Sequence, residues 1–191
     1  MRCFACGVLS WHVICNDCLE NLSLTKPSPR VLENGLKVYS FFSYSNVAPL
    51  LHVKHLFHGH KVYELLAKAS FSKFVQDFEP NEILHVIPID DHVRSGYSHT
   101  AILAKALKSK NLKIHYNSLR STSNVSYSGK SLNYRKANPR CFTCKLKKPL
   151  DIILVDDIIT TGSTLLEASM MLKEEGHNPL FALTLADAKD I

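Results

Sequence analysis

No stretch of the 191-residue chain approaches the roughly 20 consecutive apolar residues that a membrane-spanning helix needs. The N-terminus lacks an apolar targeting core and carries a cysteine pair in its place, so it does not read as a signal peptide. Internal repeats are missing, which argues against a solenoid or propeller. Acidic residues are missing from Asn111 to Leu150, where nine of the 23 cations lie, so the remainder has 14 cations against 17 anions although the whole chain is +6. Apolar residues at 46% and charged residues at 21% exclude both a disordered chain and a membrane bundle. The length suits one globular domain plus a small module, and these exclusions together point to a cytoplasmic protein.

Six cysteines form three pairs with two-residue gaps, Cys3–Cys6, Cys15–Cys18 and Cys141–Cys144. With no secretory signal, paired Cys-x-x-Cys reads as a metal site before it reads as disulfides. Two knuckles from Cys3, Cys6, Cys15 and Cys18 would complete a tetrahedral zinc site with no position left for water, which makes the zinc structural. Val8, Leu9, Trp11 and Val13 would form the hairpin of a small zinc ribbon. His12 could replace a thiolate, but four thiolates suffice. Cys141 and Cys144 could be alternative ligands, a redox pair or ordinary residues of a basic strand, and the last is favoured.

A polar connector with Pro27 and Pro29 ends at Arg30, dividing a module over 1–30 from a main domain over 31–191. Strands are expected over Leu36–Ser45, Ile83–Ile89, Leu112–Leu119, Leu150–Val155 and Pro179–Ala186. Helices are expected over Val47–His58, Lys61–Val75, His99–Lys108 with Ser98 as cap, and Ser163–Glu175 ended by Gly176. Alternating strands and helices predict an α/β domain with a parallel sheet and right-handed crossovers.

The segment Ile153–Leu165, ILVDDIITTGSTL, carries the sharpest chemistry. A hydrophobic strand followed by Thr-Thr-Gly-Ser-Thr presents backbone N–H groups and hydroxyls at a helix N-terminus beyond a strand's carboxyl end, which is where a phosphate is held. Gly162 permits close approach, and Thr160, Thr161, Ser163 and Thr164 can donate hydroxyl hydrogen bonds. The spacing is not that of a P-loop, and no lysine follows the glycine. Asp156 and Asp157 beside a phosphate would repel it unless they meet hydroxyls or a cation, and a ribose 5-phosphate satisfies both groups. An acidic pair can cap a helix and a Thr-Gly turn can be only a turn, but the whole string in order favours the ligand reading.

In the basic segment, Arg120, Lys130, Arg135, Lys136 and Arg140 are interleaved with Tyr116, Tyr127, Tyr134 and Phe142, a mixture that suits an unpaired polyanion such as single-stranded DNA or, equally, a solubilising surface.

At these residues the chain resembles the 5-phosphoribosyl 1-diphosphate (PRPP) signature of type I phosphoribosyltransferases, and with its four N-terminal cysteines it resembles the ComF family of competence proteins over nearly its whole length. Weaker matches are Lys54 with Gly59, Pro88 with Arg94-Ser95-Gly96-Tyr97, and Arg120, Arg135 and Asn138. The chain departs from the family at Asp90-Asp91-His92 and Ser98-His99. The resemblance implies PRPP binding with Mg²⁺, with Asp156 and Asp157 on the ribose hydroxyls, Thr160 to Thr164 on the 5-phosphate, and Arg94 and Lys54 at the diphosphate. It further implies handling of incoming single-stranded DNA in the cytoplasm during natural transformation, and leaves open a peripheral place at inner-membrane DNA-uptake machinery. A metabolic phosphoribosyltransferase with an unassigned acceptor and a non-catalytic PRPP sensor that binds nucleic acid are the alternatives.

Overall fold

The computed structural model describes residues 1–22, 29–56, 58–89, 96–122 and 141–189. A short helix α1 (Asn16–Glu20) and strand β1 (Arg30–Val31) precede β2 (Lys37–Ser43), α2 (Tyr44–Leu51), a 3₁₀ turn (His52–His55), α3 (Gly59–Ala69) and α4 (Phe71–Asp77). Then come β3 (Leu84–Pro88), α5 (His99–Lys105), β4 (Leu112–Ile114), β5 (Leu119–Ser121), β6 (Phe142–Cys144) and β7 (Asp151–Ile159). The chain closes with a helix over Ser163–Glu174, here α6, and β8 (Asn178–Asp187).

The main sheet has the order β1-β2-β8-β7-β3-β4, and only the β1–β2 pair is antiparallel. It is the expected parallel sheet flanked by helices. Side chains alternate along β7, so Ile153 and Val155 pack with α2, α3 and α5 on one face, while Ile152 and Leu154 pack with α6 on the other. Burial on both faces is why 150–155 reads as one apolar run. From β3 the chain crosses by α5 to β4 on one side, and from β7 it crosses by α6 to β8 on the other. The crossovers therefore diverge between β3 and β7, and a crevice at the carboxyl ends of these two strands is the fold's natural ligand position.

Several boundaries differ from expectation for physical reasons. The expected helix over 61–75 breaks at Ser70 (φ −124°, ψ −74°), whose hydroxyl donates to the Leu66 carbonyl at 2.6 Å. The expected strand over 112–119 is interrupted by Asn117 at φ +54°, after which β5 leaves the sheet and pairs with β6 in a separate antiparallel ribbon. Strand β7 runs on to Ile159, because its ladder to β8 continues through Asp156↔Thr184 and Ile159↔Asp187. The aspartates are strand residues, not turn residues. Other features agree: the Ser98 hydroxyl accepts from the Ala101 N–H at 3.1 Å as the cap of α5. At the end of α6, Gly176 (φ +82°) lets the His177 N–H reach the Leu172 carbonyl at 2.8 Å.

The N-terminal knuckle shares the core of the rest. Cys3, Val13 and Ile14 are buried in the same cluster as Leu66, Leu103 and Val155. Of the four residues expected in the ribbon hairpin, Val13 is buried, the antiparallel pairing here is a single bridge, Arg2↔Leu9, and Val8, Leu9 and Trp11 are exposed, Trp11 at 97%. Backbone bonds close the knuckle turn, from Cys3 N–H to Val8 O and from Gly7 N–H to Cys3 O, both 2.9 Å, so these apolar side chains are left outside. None of the helices formed by the described residues is long and apolar enough to cross a membrane.

Candidate functional site

Period-two alternation separates the two neighbouring carboxylates. Asp156 points to the α6 side and lines an open pocket with Thr160, Gly162, Ser163 and Thr164. Gly162 precedes α6 at φ +83° and ψ 0°, the left-handed conformation that lets the strand turn at once into a helix. The turn is tied internally: the Thr161 and Ser163 hydroxyl oxygens lie 2.8 Å apart, and the Ser163 N–H points at the Thr161 hydroxyl at 3.4 Å. The first N–H groups of a helix have no partner within it, so they and the positive end of its dipole favour an anion.

Asp157 points the other way and is only 7% exposed. Its Oδ2 lies 3.0 Å from Lys54 Nζ and 3.5 Å from His99 Nε2, and accepts from the Tyr63 hydroxyl at 3.3 Å. Burial opposes its ionisation, but the neighbouring His99 and Lys54 charges outweigh it and hold the carboxyl at about 2. Burial, reinforced by the Asp157 charge, pushes the Tyr63 phenol well above its ordinary value. Tyr97 donates from its hydroxyl to the Lys54 carbonyl at 2.7 Å, which braces the turn carrying Lys54. A fixed charge cluster thus lies beneath the crevice, behind the pocket that Asp156 faces.

The structure therefore brings Asp156, Thr160, Gly162, Ser163 and Thr164 to one pocket, with Thr161 bonded to its rim. It pairs Lys54 with Asp157 on the opposite face. Arg120 is on β5, where its Nη2 donates to Asn117 Oδ1 at 2.8 Å. Arg94, Lys130, Arg135, Lys136 and Arg140 lie outside the described residues. Sequence reasoning missed Arg30, which it left in the connector. Arg30 Nη1 donates to the Thr160 carbonyl at 2.6 Å and to Asp187 Oδ1 at 3.0 Å. Nothing in the local sequence signals a contact across 130 positions.

The ligand atoms of Cys3, Cys6, Cys15 and Cys18 all lie within 4.8 Å of one another, and Cys6 and Cys15 Sγ are 3.8 Å apart. Zinc–sulfur bonds of 2.3 Å in a tetrahedron put sulfurs about 3.8 Å apart, so the cluster fits a zinc ion. Burial opposes ionisation of Cys3, but backbone N–H groups of Cys15, Cys6 and Ala5 bring its thiol down to about 6. The neighbouring sulfurs of Cys15 and Cys6 push the Cys18 thiol up. Among the described residues, no other group of three or more His, Cys, Asp or Glu converges in this way.

Cys141 precedes and Cys144 ends the extended strand β6, which pairs with β5. Three residues of strand separate their α-carbons by roughly 10 Å, beyond the about 7 Å that a disulfide spans. Cys144 Sγ lies 3.7 Å from His177 Nε2 instead.

No family model matches the chain, and no curated protein matches it. Among solved structures it is similar to the orotate phosphoribosyltransferase of Aeropyrum pernix, with 18% identity over 91% of this chain and 81% of that one and a TM-score of 0.45. It is similar to the adenine phosphoribosyl transferase of Trypanosoma brucei at 15% identity, over 90% of this chain and 78% of that one, with a TM-score of 0.44. A hypoxanthine phosphoribosyltransferase from Staphylococcus aureus gives 17% identity over 67% of this chain and a TM-score of 0.41, and the chain spans 64% of that protein's length.

Proposed function

We propose that the pocket at the carboxyl end of β7 binds the ribose 5-phosphate part of PRPP. The observation that carries this reading is the sharing of one pocket by the Asp156 carboxylate and the hydroxyl-rich turn before α6. The 5-phosphate takes the N–H groups and hydroxyls of the turn over 160–164, and Asp156 accepts from a ribose hydroxyl. Asp157 acts from behind the pocket: its buried ion pair with Lys54 holds the crevice wall. Mg²⁺ bound with PRPP would neutralise the diphosphate.

The finer reading rests on the resemblance to competence proteins. The chain handles single-stranded DNA in the cytoplasm during natural transformation, its basic segment tracking the phosphate backbone while zinc holds the knuckle. The expected results are DNA affinity that falls steeply between 50 and 200 mM salt, with little sequence preference, and weaker DNA binding at saturating PRPP. Fluorescence anisotropy with a labelled oligonucleotide measures both. Salt-insensitive affinity would remove the DNA role, and affinity unchanged by PRPP would separate the two sites.

A further inference from the structure

Residues 156–165 include two aspartates and no lysine or arginine, so a phosphate dianion held here needs a positive charge from elsewhere. Within the described residues, Arg30 bonds directly to this turn. Its Nη1 donates to the Thr160 carbonyl at 2.6 Å and to Asp187 Oδ1 at 3.0 Å, and the Arg30 side chain is 22% exposed. The β1–β2 pairing, Arg30↔Val38 and Val31↔Lys37, carries it there, and Leu32 of the same segment packs over Gly162.

We propose that Arg30 is a positioning residue of the phosphate turn, a role that rests on the ribose 5-phosphate reading above. A trans peptide points its C=O and the next N–H in opposite directions. By pinning the Thr160 carbonyl, Arg30 fixes the 160–161 peptide plane and turns the Thr161 N–H away from itself. That peptide lies between the strand ladder, which ends at Ile159, and the left-handed Gly162. The same guanidinium offsets the charge of Asp187, at the end of β8 and paired in register with Ile159, which leaves Asp156 as the carboxylate of the pocket, satisfied by a ribose hydroxyl. Asp187 in turn orients Arg30, and its Oδ1 also accepts from the Lys189 N–H at 2.9 Å.

The test uses zinc-loaded full-length protein and ribose 5-phosphate as the probe, titrated calorimetrically into the wild type, Arg30→Met and Arg30→Lys. The expected result is affinity at least 10-fold weaker in Arg30→Met, recovered to within about threefold of wild type in Arg30→Lys, which keeps the charge and one donor. Melting temperatures should agree within a few degrees, and the Thr161 and Gly162 amide resonances of ligand-free Arg30→Met should move, as a rotated peptide requires. Arg30→Met binding within twofold of wild type overturns the positioning role alone. So does a loss of affinity that Arg30→Lys leaves unrepaired while the amide resonances stay in place. Failure of the wild type itself to bind overturns the ribose 5-phosphate reading and this role with it.

Discussion

Serine in place of Cys3 is expected to lower the melting temperature of the zinc-loaded protein by about 10 °C or more and to reduce bound zinc to well below one ion per chain. The size of the effect follows from where the knuckle sits. Cys3, Val13 and Ile14 are part of the same buried cluster as the helices on one face of the sheet, so releasing the knuckle uncovers core as well as losing a ligand. Structural zinc sites contribute about 10 kcal/mol or more to folding in isolated fingers, and a few kcal/mol of that lost here moves a chain of this length by about 2–4 °C per kcal/mol. Cys141→Ser makes the comparison: Cys141 is exposed and outside the cluster, and its replacement should shift melting by no more than a degree or two. Scanning calorimetry with zinc analysis reads both. Equal melting and equal zinc in the Cys3 variant would mean that the four sulfurs hold nothing.

Gly162→Ala is expected to weaken ribose 5-phosphate binding by more than about 30-fold, against little or no change in Gly176→Ala. Both glycines sit in the left-handed region, at φ +83° and φ +82°, where a side chain costs roughly 1–2 kcal/mol. Their surroundings differ. A Cβ at Gly176 meets nothing within 4 Å, whereas one at Gly162 comes within 2.6 Å of Leu32 Cδ2. Relief at Gly162 must displace the Leu32 side chain that packs over the turn, beside the arginine that bonds the Thr160 carbonyl. The Gly176 change costs backbone energy alone, while the Gly162 change also disturbs the turn proposed to hold the phosphate. Equal losses of affinity in the two variants, or none in either, would detach the turn from ligand binding.

Local patterns made much of this legible. The apolar run of β7 needs no partner to be read as a strand, because burial on both faces removes polar residues from it. Ser98 and Gly176 mark helix ends through bonds made within a few residues, and four cysteines in two close pairs constrain one another. What could not be read depends on distant parts of the chain. Asp156 and Asp157 look like neighbours at a turn, yet the ladder to β8 extends the strand through them and sends them to opposite faces. Lys54 and Asp157 are 103 positions apart, and only packing of α3 and α5 against β7 brings them to 3.0 Å. The break at Ser70 competes with an unbroken apolar periodicity, and the Thr160 contact of Arg30 exists only because a two-residue edge strand paired with β2 brings the arginine within reach of the turn after β7.

The pocket facing Asp156 is proposed above as a ribose 5-phosphate site. Calorimetric titration of the zinc-loaded protein with PRPP and Mg²⁺, beside a folded Asp156→Asn variant, tests it most directly. The account predicts one site per chain in the wild type and at least 10-fold weaker binding in the variant, since an amide oxygen accepts from a ribose hydroxyl less strongly than a carboxylate. No binding by the wild type, or equal binding by the two proteins, would contradict it.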